Sequence, residues 1–361
     1  MKKIAILVFF TVGFFVHVWA CTGLIAGKQA TVDGSVLVTY SADSHTLYGA
    51  LTSSPAADWP KGSMRSIVEW DTNKPLGEIE QVEHTYAVIG NMNEHQLTVV
   101  ESTWGGRPEL VDTTGIIDYG SLMQLALERA KTAREAIKVM TGLVKKYGYY
   151  SSGESFTIAD PNEAWILDLI GKGPGRRGAV WVAVRIPDDC IAGHANYPRI
   201  HKIPMDDKEN CLYSPDVISF AREMGYFDGL NKDFSFARAY SPADFGALRA
   251  CDARVWSFFR KYDSTMDNYL PYVNGESAEP FPLYVKPSRK LSVQDMKEAM
   301  RDHFEDTPFD MTQDVGAGPF KVPYRFRPMS FEVDGKSYCM ERAIATQQTG
   351  FTLVGQMRNW L

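Results

Sequence analysis

Apolar and polar positions along the chain change period several times, and each change marks an element. Two short runs rich in Val, Leu and Ile, Thr22–Ala26 and Ser35–Tyr40, flank Val32-Asp33-Gly34, which predicts a hairpin. His84–Gly90 and Leu97–Glu101 predict a second hairpin around Asn91–His95. The period then lengthens to that of a helix over Tyr119–Ala130 and again over Ala133–Tyr147. Thr132 with Glu135 three residues on is a capping-box pattern, Gly148 is a stop, and Ala136, Ile137, Met140, Leu143 and Val144 fall on one face. Strands are expected at Ser155–Ala159, Ala164–Leu169 and Ala179–Arg185, and helices at Asp216–Glu223, Cys251–Tyr262 and Val293–Phe304, the last opened by Ser292 with Asp295. Tyr269–Pro287 and Phe309–Arg327 read as irregular, and Phe331–Val333, Ser337–Ala345 and Thr349–Val354 as closing strands. No internal repeat or dividing linker interrupts this order. It predicts one α+β domain of antiparallel sheets with helices packed outside.

The first twenty residues follow none of these patterns. Lys2 and Lys3 precede an uncharged, mostly apolar run from Ile4 to Val16, and Val18 and Ala20 end in a V-x-A pattern, which reads as a secretory signal peptide. The run is too short to span a bilayer as an ordinary transmembrane helix. A retained anchor, or a lipid attached to Cys21, are the alternatives; Trp19 before the small Ala20 fits the lipidation signal poorly. The expected product, residues 21–361, is exported, periplasmic or secreted, with no membrane insertion once the leader is cut.

Composition narrows the class. The 361 residues are 45% hydrophobic and 23% charged, with formal charge −6, which becomes −8 when the two leader lysines leave. This is an ordinary globular balance without a long basic run, so nucleic acid is not expected as a partner. The oligomeric state stays open, a homo-oligomer included.

Cleavage after Ala20 would make Cys21 the first residue. A thiol and a free α-amine then share one carbon, and the amine, whose ordinary pKa lies near 7.7–8.0, can serve as the thiol's own base. The alternative is a cysteine that merely follows the leader, or one in a disulfide. Cys190, Cys211, Cys251 and Cys339 are the other cysteines; four can pair in three ways, and isolated thiols are equally consistent. The histidines show no HxxxH or HExxH spacing, so neither a metal nor a cofactor is expected. His194 is read as a structural neighbour of Asn196.

Cys21-Thr22-Gly23, Val32-Asp33-Gly34-Ser35, Asn93-Glu94 and Gly193-His194-Ala195-Asn196 together resemble the cysteine dipeptidases of the N-terminal-nucleophile hydrolase superfamily, the dipeptidase A type. Penicillin V acylases and bile salt hydrolases share the first motif more distantly. The resemblance runs from Cys21 to Leu361 and implies an αββα sandwich of two antiparallel sheets between helix layers. It also implies a longer chain, so that Arg358–Leu361 reads as the middle of a family segment and the domain as truncated at its C-terminal end.

By resemblance, Cys21 is the nucleophile, Asp43 holds its amine and thiol, and Asn196 donates to the oxyanion. Arg254 is the arginine near the nucleophile, suited to a thiolate or a substrate carboxylate, and Thr103 offers a backbone N–H to the oxyanion. From the residues alone, the alternatives are Asn196 as a turn residue before Pro198, Arg254 as a helix-surface arginine and Asp43 as a loop carboxylate. Relatives often carry Arg where this chain has Tyr40, so the cation beside the sulfur is missing. The expected activity is a cysteine-type dipeptidase acting on small peptides through a thioester acyl-enzyme. The alternatives are an N-acyl amide hydrolase, with Tyr40 and Trp104 lining an acyl pocket, and a non-catalytic lipid-anchored binding protein.

Overall fold

The structure, a computed structural model, describes residues 21–44, 49–325 and 330–361, without the side chains of 330, 331, 337 and 339. The expected leader and His45 lie outside the described residues.

Apolar strand runs assemble two large antiparallel sheets among the described residues. In the first, Thr22–Ala26 is central, paired on one side with Ile191–His194 and on the other with Val36–Asp43, which pairs in turn with Thr349–Met357. The second has eight strands, with Thr98–Trp104, Gly153–Ala159, Ala164–Gly171 and Ala179–Ile186 consecutive at its centre. Every residue of Thr22–Ala26, Val36–Asp43, Gly153–Ala159 and Ala164–Gly171 is buried, so both faces of these strands are covered.

Three buried apolar clusters account for this among the described residues. Ile25, Val38, Val100 and Ile166 share one, to which strands of both sheets contribute. Leu24 and Leu37 belong to a second, with Val255 and Phe258 of helix Ala253–Arg260 and Met296 of helix Val293–Ala299. Phe156 and Leu167 belong to a third, with Leu122 and Met140 of the two helices Tyr119–Arg129 and Ala133–Tyr147. Antiparallel sheets with helices packed on them bear out the α+β expectation.

Most elements lie where the pattern puts them. Ala133–Tyr147 is helical from end to end, with Gly148 at φ +81° as its stop. Its cap differs in one respect: the Thr132 side chain accepts from the Glu135 N–H, but the Glu135 carboxylate accepts from Lys131 N–H instead of from the cap residue itself. The Ser292/Asp295 capping box is complete. Helix Val293–Ala299 ends earlier than expected, and Phe304, inside the expected helix, has φ +64°. The expected helix from Cys251 starts at Ala253, preceded by a wider π-helical stretch at Ala247–Asp252. The second hairpin is broken into short pieces because Asn93 folds locally. Its Oδ1 accepts from His95 and Leu97 N–H, and its Nδ2 donates to the Leu127 and Ala130 carbonyls. Asn93 thus ties this turn to a helix end. A hairpin at Met64–Val68 and Pro75–Glu80 was not expected, since its strands are largely exposed.

Candidate active site

Cys21 immediately precedes the central strand and is 5% exposed. Its thiol lines a pocket together with Tyr40, Asp43, Asp71, Glu101 and Tyr119. The Tyr40 hydroxyl donates to Glu101 Oε1 at 2.5 Å and stands 3.8 Å from Cys21 Sγ. Burial pushes the thiol's pKa well up, and the negative charges of Glu101 and then Asp43 add to this. The Asp43 backbone N–H opposes it by hydrogen bonding to the sulfur.

Asp43 ends strand Val36–Asp43 and is fully buried. Its Oδ2 accepts from Arg342 at 2.5 Å and from Ser41 Oγ at 3.3 Å, and its Oδ1 from Thr349 Oγ1 at 2.6 Å. The side chain is therefore held by the C-terminal part of the chain, while the main chain reaches the thiol. It is a buried strand residue and not a loop carboxylate.

Arg254, at the start of helix Ala253–Arg260, is buried and not on the helix surface. Its Nε donates to the Ala250 carbonyl at 2.8 Å. One Nη donates to the Cys21 carbonyl at 2.9 Å and Thr22 Oγ1 at 2.7 Å, the other to the Ala195 carbonyl at 3.1 Å and Asn196 Oδ1 at 2.7 Å. All five N–H donors of a guanidinium are then engaged. The expectation that Arg254 holds a thiolate or a substrate carboxylate is corrected: it holds the main chain of Cys21 and the amide of Asn196. Burial lowers its pKa to about 10.

Asn196 follows strand Ile191–His194 with φ +58°, a left-handed conformation that asparagine tolerates better than most residues. Arg254 on Oδ1 fixes which way its amide points, and Nδ2 donates to the Thr103 carbonyl at 2.5 Å. Thr103 meets Asn196 through this carbonyl, while its Oγ1 donates to Glu154 Oε1 at 2.7 Å.

His194 is fully buried between the sheets, with Nδ1 2.6 Å from Ser102 Oγ and Nε2 2.8 Å from Thr157 Oγ1. Burial, with the positive charges of Arg254 and Arg199, lowers its pKa to about 3, so the ring is neutral. A Cβ at Gly23, its cross-strand partner, would come 2.7 Å from this ring, which explains the glycine of the opening motif. Trp104 packs against Gly153 and Phe236, away from the pocket, so the expectation that it lines an acyl pocket is corrected. Cys21, Cys190, Cys211 and Cys251 are free thiols among the described residues. Among the described residues no group of His, Cys, Asp or Glu is placed to hold a metal, and no helix is long and apolar enough to cross a membrane.

Glu101, Glu154, Asp71 and Arg342 were not singled out from the sequence. Glu101 and Thr103 share one strand face, and Glu154 is the cross-strand partner of Thr103. The available signal was an acid inside each apolar strand run, Thr98–Trp104 and Gly153–Ala159, because an unpaired buried carboxylate is rare. Arg342 carried no local signal, since its partner lies 299 residues away.

Residues 20–361 match the description of peptidase family C69. The chain belongs to peptidase family C69. It is similar to a probable dipeptidase of Salmonella dublin, 28% identical over 318 residues, which cover 81% of this chain and 68% of that protein. A probable dipeptidase of Latilactobacillus sakei is 25% identical, covering 81% of this chain and 62% of the relative. Dipeptidase A of Lactobacillus helveticus is 25% identical, with 84% and 66% covered. The chain thus spans about two-thirds of the length of the curated relatives it matches.

Proposed function

We propose that this chain is the catalytic part of an exported dipeptidase, periplasmic or secreted, in which Cys21 is the nucleophile. In this reading the sheets and helices form the αββα sandwich of N-terminal-nucleophile hydrolases, and removal of residues 1–20 frees the Cys21 α-amine. One observation carries it: the thiol lines a pocket while Arg254 grips its carbonyl, so the nucleophile is held by its own main chain. Membership of a peptidase family whose relatives are named dipeptidases adds to it.

The sulfur attacks the carbonyl carbon of the peptide bond and its proton passes to the α-amine. The resulting ammonium protonates the leaving nitrogen, the C–N bond breaks, and the C-terminal amino acid departs. Water, deprotonated by the same amine, cleaves the thioester and releases the N-terminal amino acid. His194 has both ring nitrogens engaged and stays neutral, which favours the amine as base. The Asn196 amide, oriented by Arg254, donates to the developing oxyanion. Because burial holds the thiol pKa high, proton transfer accompanies attack instead of preceding it.

The test is dipeptide hydrolysis by the full-length protein with its leader removed. Cys21→Ala is expected to lose at least ~10³ in rate with an unchanged melting temperature. Prolonged chelation is expected to leave the wild-type rate unchanged. Dipeptide turnover surviving in the Ala variant excludes the reading.

A further inference from the structure

The acidic wall of the pocket has no role in the chemistry above. Glu101 is 2% exposed and Glu154 is fully buried, whereas Asp71 is exposed. Their hydrogen bonds come from hydroxyls: Tyr40 to Glu101, Thr103 to Glu154, and Tyr119 to Asp71. Among the described residues no lysine or arginine side chain pairs with any of the three. Glu154 Oε2 is buried without a donor, and its carboxyl neighbour is Glu101. Two neighbouring carboxyls in a buried site repel, and burial and this repulsion raise the pKa of Glu154 well above the ordinary carboxylate value, while burial raises that of Glu101. Glu101 faces the nucleophile's pocket with, among the described residues, no lysine or arginine side chain beside it.

We infer that Glu101, backed by Glu154 and assisted by Asp71 at the outer wall, binds the free α-ammonium of the substrate. The site then takes peptides with an unblocked N-terminus and cleaves after their first residue. The inference rests on the dipeptidase reading and names the group that reading needs.

Covalent geometry supports it. In a peptide the α-nitrogen is two bonds, about 2.5 Å, from the first carbonyl carbon. A group that holds the ammonium must stand beside the point the sulfur attacks. Glu101 does, since the Tyr40 hydroxyl bridges its carboxylate at 2.5 Å and the sulfur at 3.8 Å. An N-acyl substrate would set an uncharged chain against this carboxylate and strip its solvation without return. The ammonium also supplies what Tyr40 does not. The Glu101 charge opposes ionisation of the thiol, and a bound cation cancels that opposition only when substrate is present.

The experiment compares Ala-Ala with propionyl-Ala, the same molecule without its ammonium, on the full-length wild-type protein. The value of kcat/KM is expected to fall at least about 10²-fold, because a site built for a charged donor rejects the analogue lacking it. In Glu101→Gln the gap is expected to close to less than about tenfold, as the protein side of the same pair is then gone. Should Glu101→Gln fail to fold, Asp71→Asn, at an exposed position, is expected to narrow the gap by about threefold to tenfold. Equal use of both compounds by the wild type, or an unchanged gap in the variants, overturns the ammonium site and leaves the dipeptidase standing. Failure of the wild type to hydrolyse either compound removes both.

Discussion

The two flanks of Cys21 are built on opposite rules. On one, Arg254 has an oxygen on every N–H, and Asp43 is gripped by Arg342, Ser41 and Thr349. On the other, Glu101 and Glu154 are buried against each other with only hydroxyl donors. A fully satisfied buried network is rigid and specifies one geometry. A buried charge without a counterion costs stability and is kept where a ligand is to complete it. On the proposed reading the first flank fixes Cys21 as the nucleophile and the second awaits substrate. Substitutions on the first should cost stability, and substitutions on the second should cost recognition while sparing or raising stability.

The largest stability effect is expected for Arg254→Met. It strands the Cys21 and Ala195 carbonyls, Thr22 Oγ1 and Asn196 Oδ1 in a dry interior. Breaking such a buried charged network costs about 3–5 kcal/mol, read as a lower denaturation midpoint at constant slope. Arg254→Lys should recover only part, because an ammonium has fewer donors and no fork. A loss under about 1 kcal/mol would mean that the guanidinium does not hold this flank together.

Next is Asn196, where structure and chemistry meet. Asn196→Ala is expected to lower kcat by about 10²–10³ with little change in KM, the cost of one oxyanion donor. It should also lose about 1–2 kcal/mol, since alanine at a left-handed φ is strained. Asn196→Gly separates the two: it should regain most of the strain energy and none of the rate. Normal kcat in the Gly variant would make Asn196 a turn residue only.

The sequence showed the first flank better than the second, for a physical reason. Strand and helix periods arise from local burial, so Thr22–Ala26, Ala133–Tyr147 and Ala164–Gly171 were legible from neighbours alone. Cys21, Asp43, Asn196 and Arg254 were reached through motifs, but the role of Arg254 was not. Which oxygens a guanidinium meets depends on residues about 60 and 230 positions away, brought together only by the sheet. The acid wall was missed for a similar reason. Glu101 and Glu154 lie 53 positions apart, and only the register placing Thr103 opposite Glu154 makes them a pair. The early end of the helix at Ala299 came from local signals too weak to override tertiary packing.

The smallest expected effect tests the contrast most directly, because its sign is opposite. Burial, and then the charge of Glu101, raise the Glu154 pKa well above the ordinary carboxylate value. An unfolded glutamate titrates near 4.3, so below that pH both states are protonated and Glu154 imposes no penalty. As pH rises past 4.3 the unfolded state ionises first, and folding stability falls until the folded pKa is passed. Glutamine cannot ionise, so Glu154→Gln lacks this descent. Thermal melts of wild type and variant should coincide near pH 4, and the variant should melt about 1–2 °C higher at pH 8, a gain of about 1 kcal/mol. Its amide also keeps a donor for the Glu101 carboxylate, so the pocket wall stays in place. A variant less stable than wild type at both pH values would show that the acid pair is as well satisfied as the arginine side, and the distinction between a finished flank and one completed by substrate would fall.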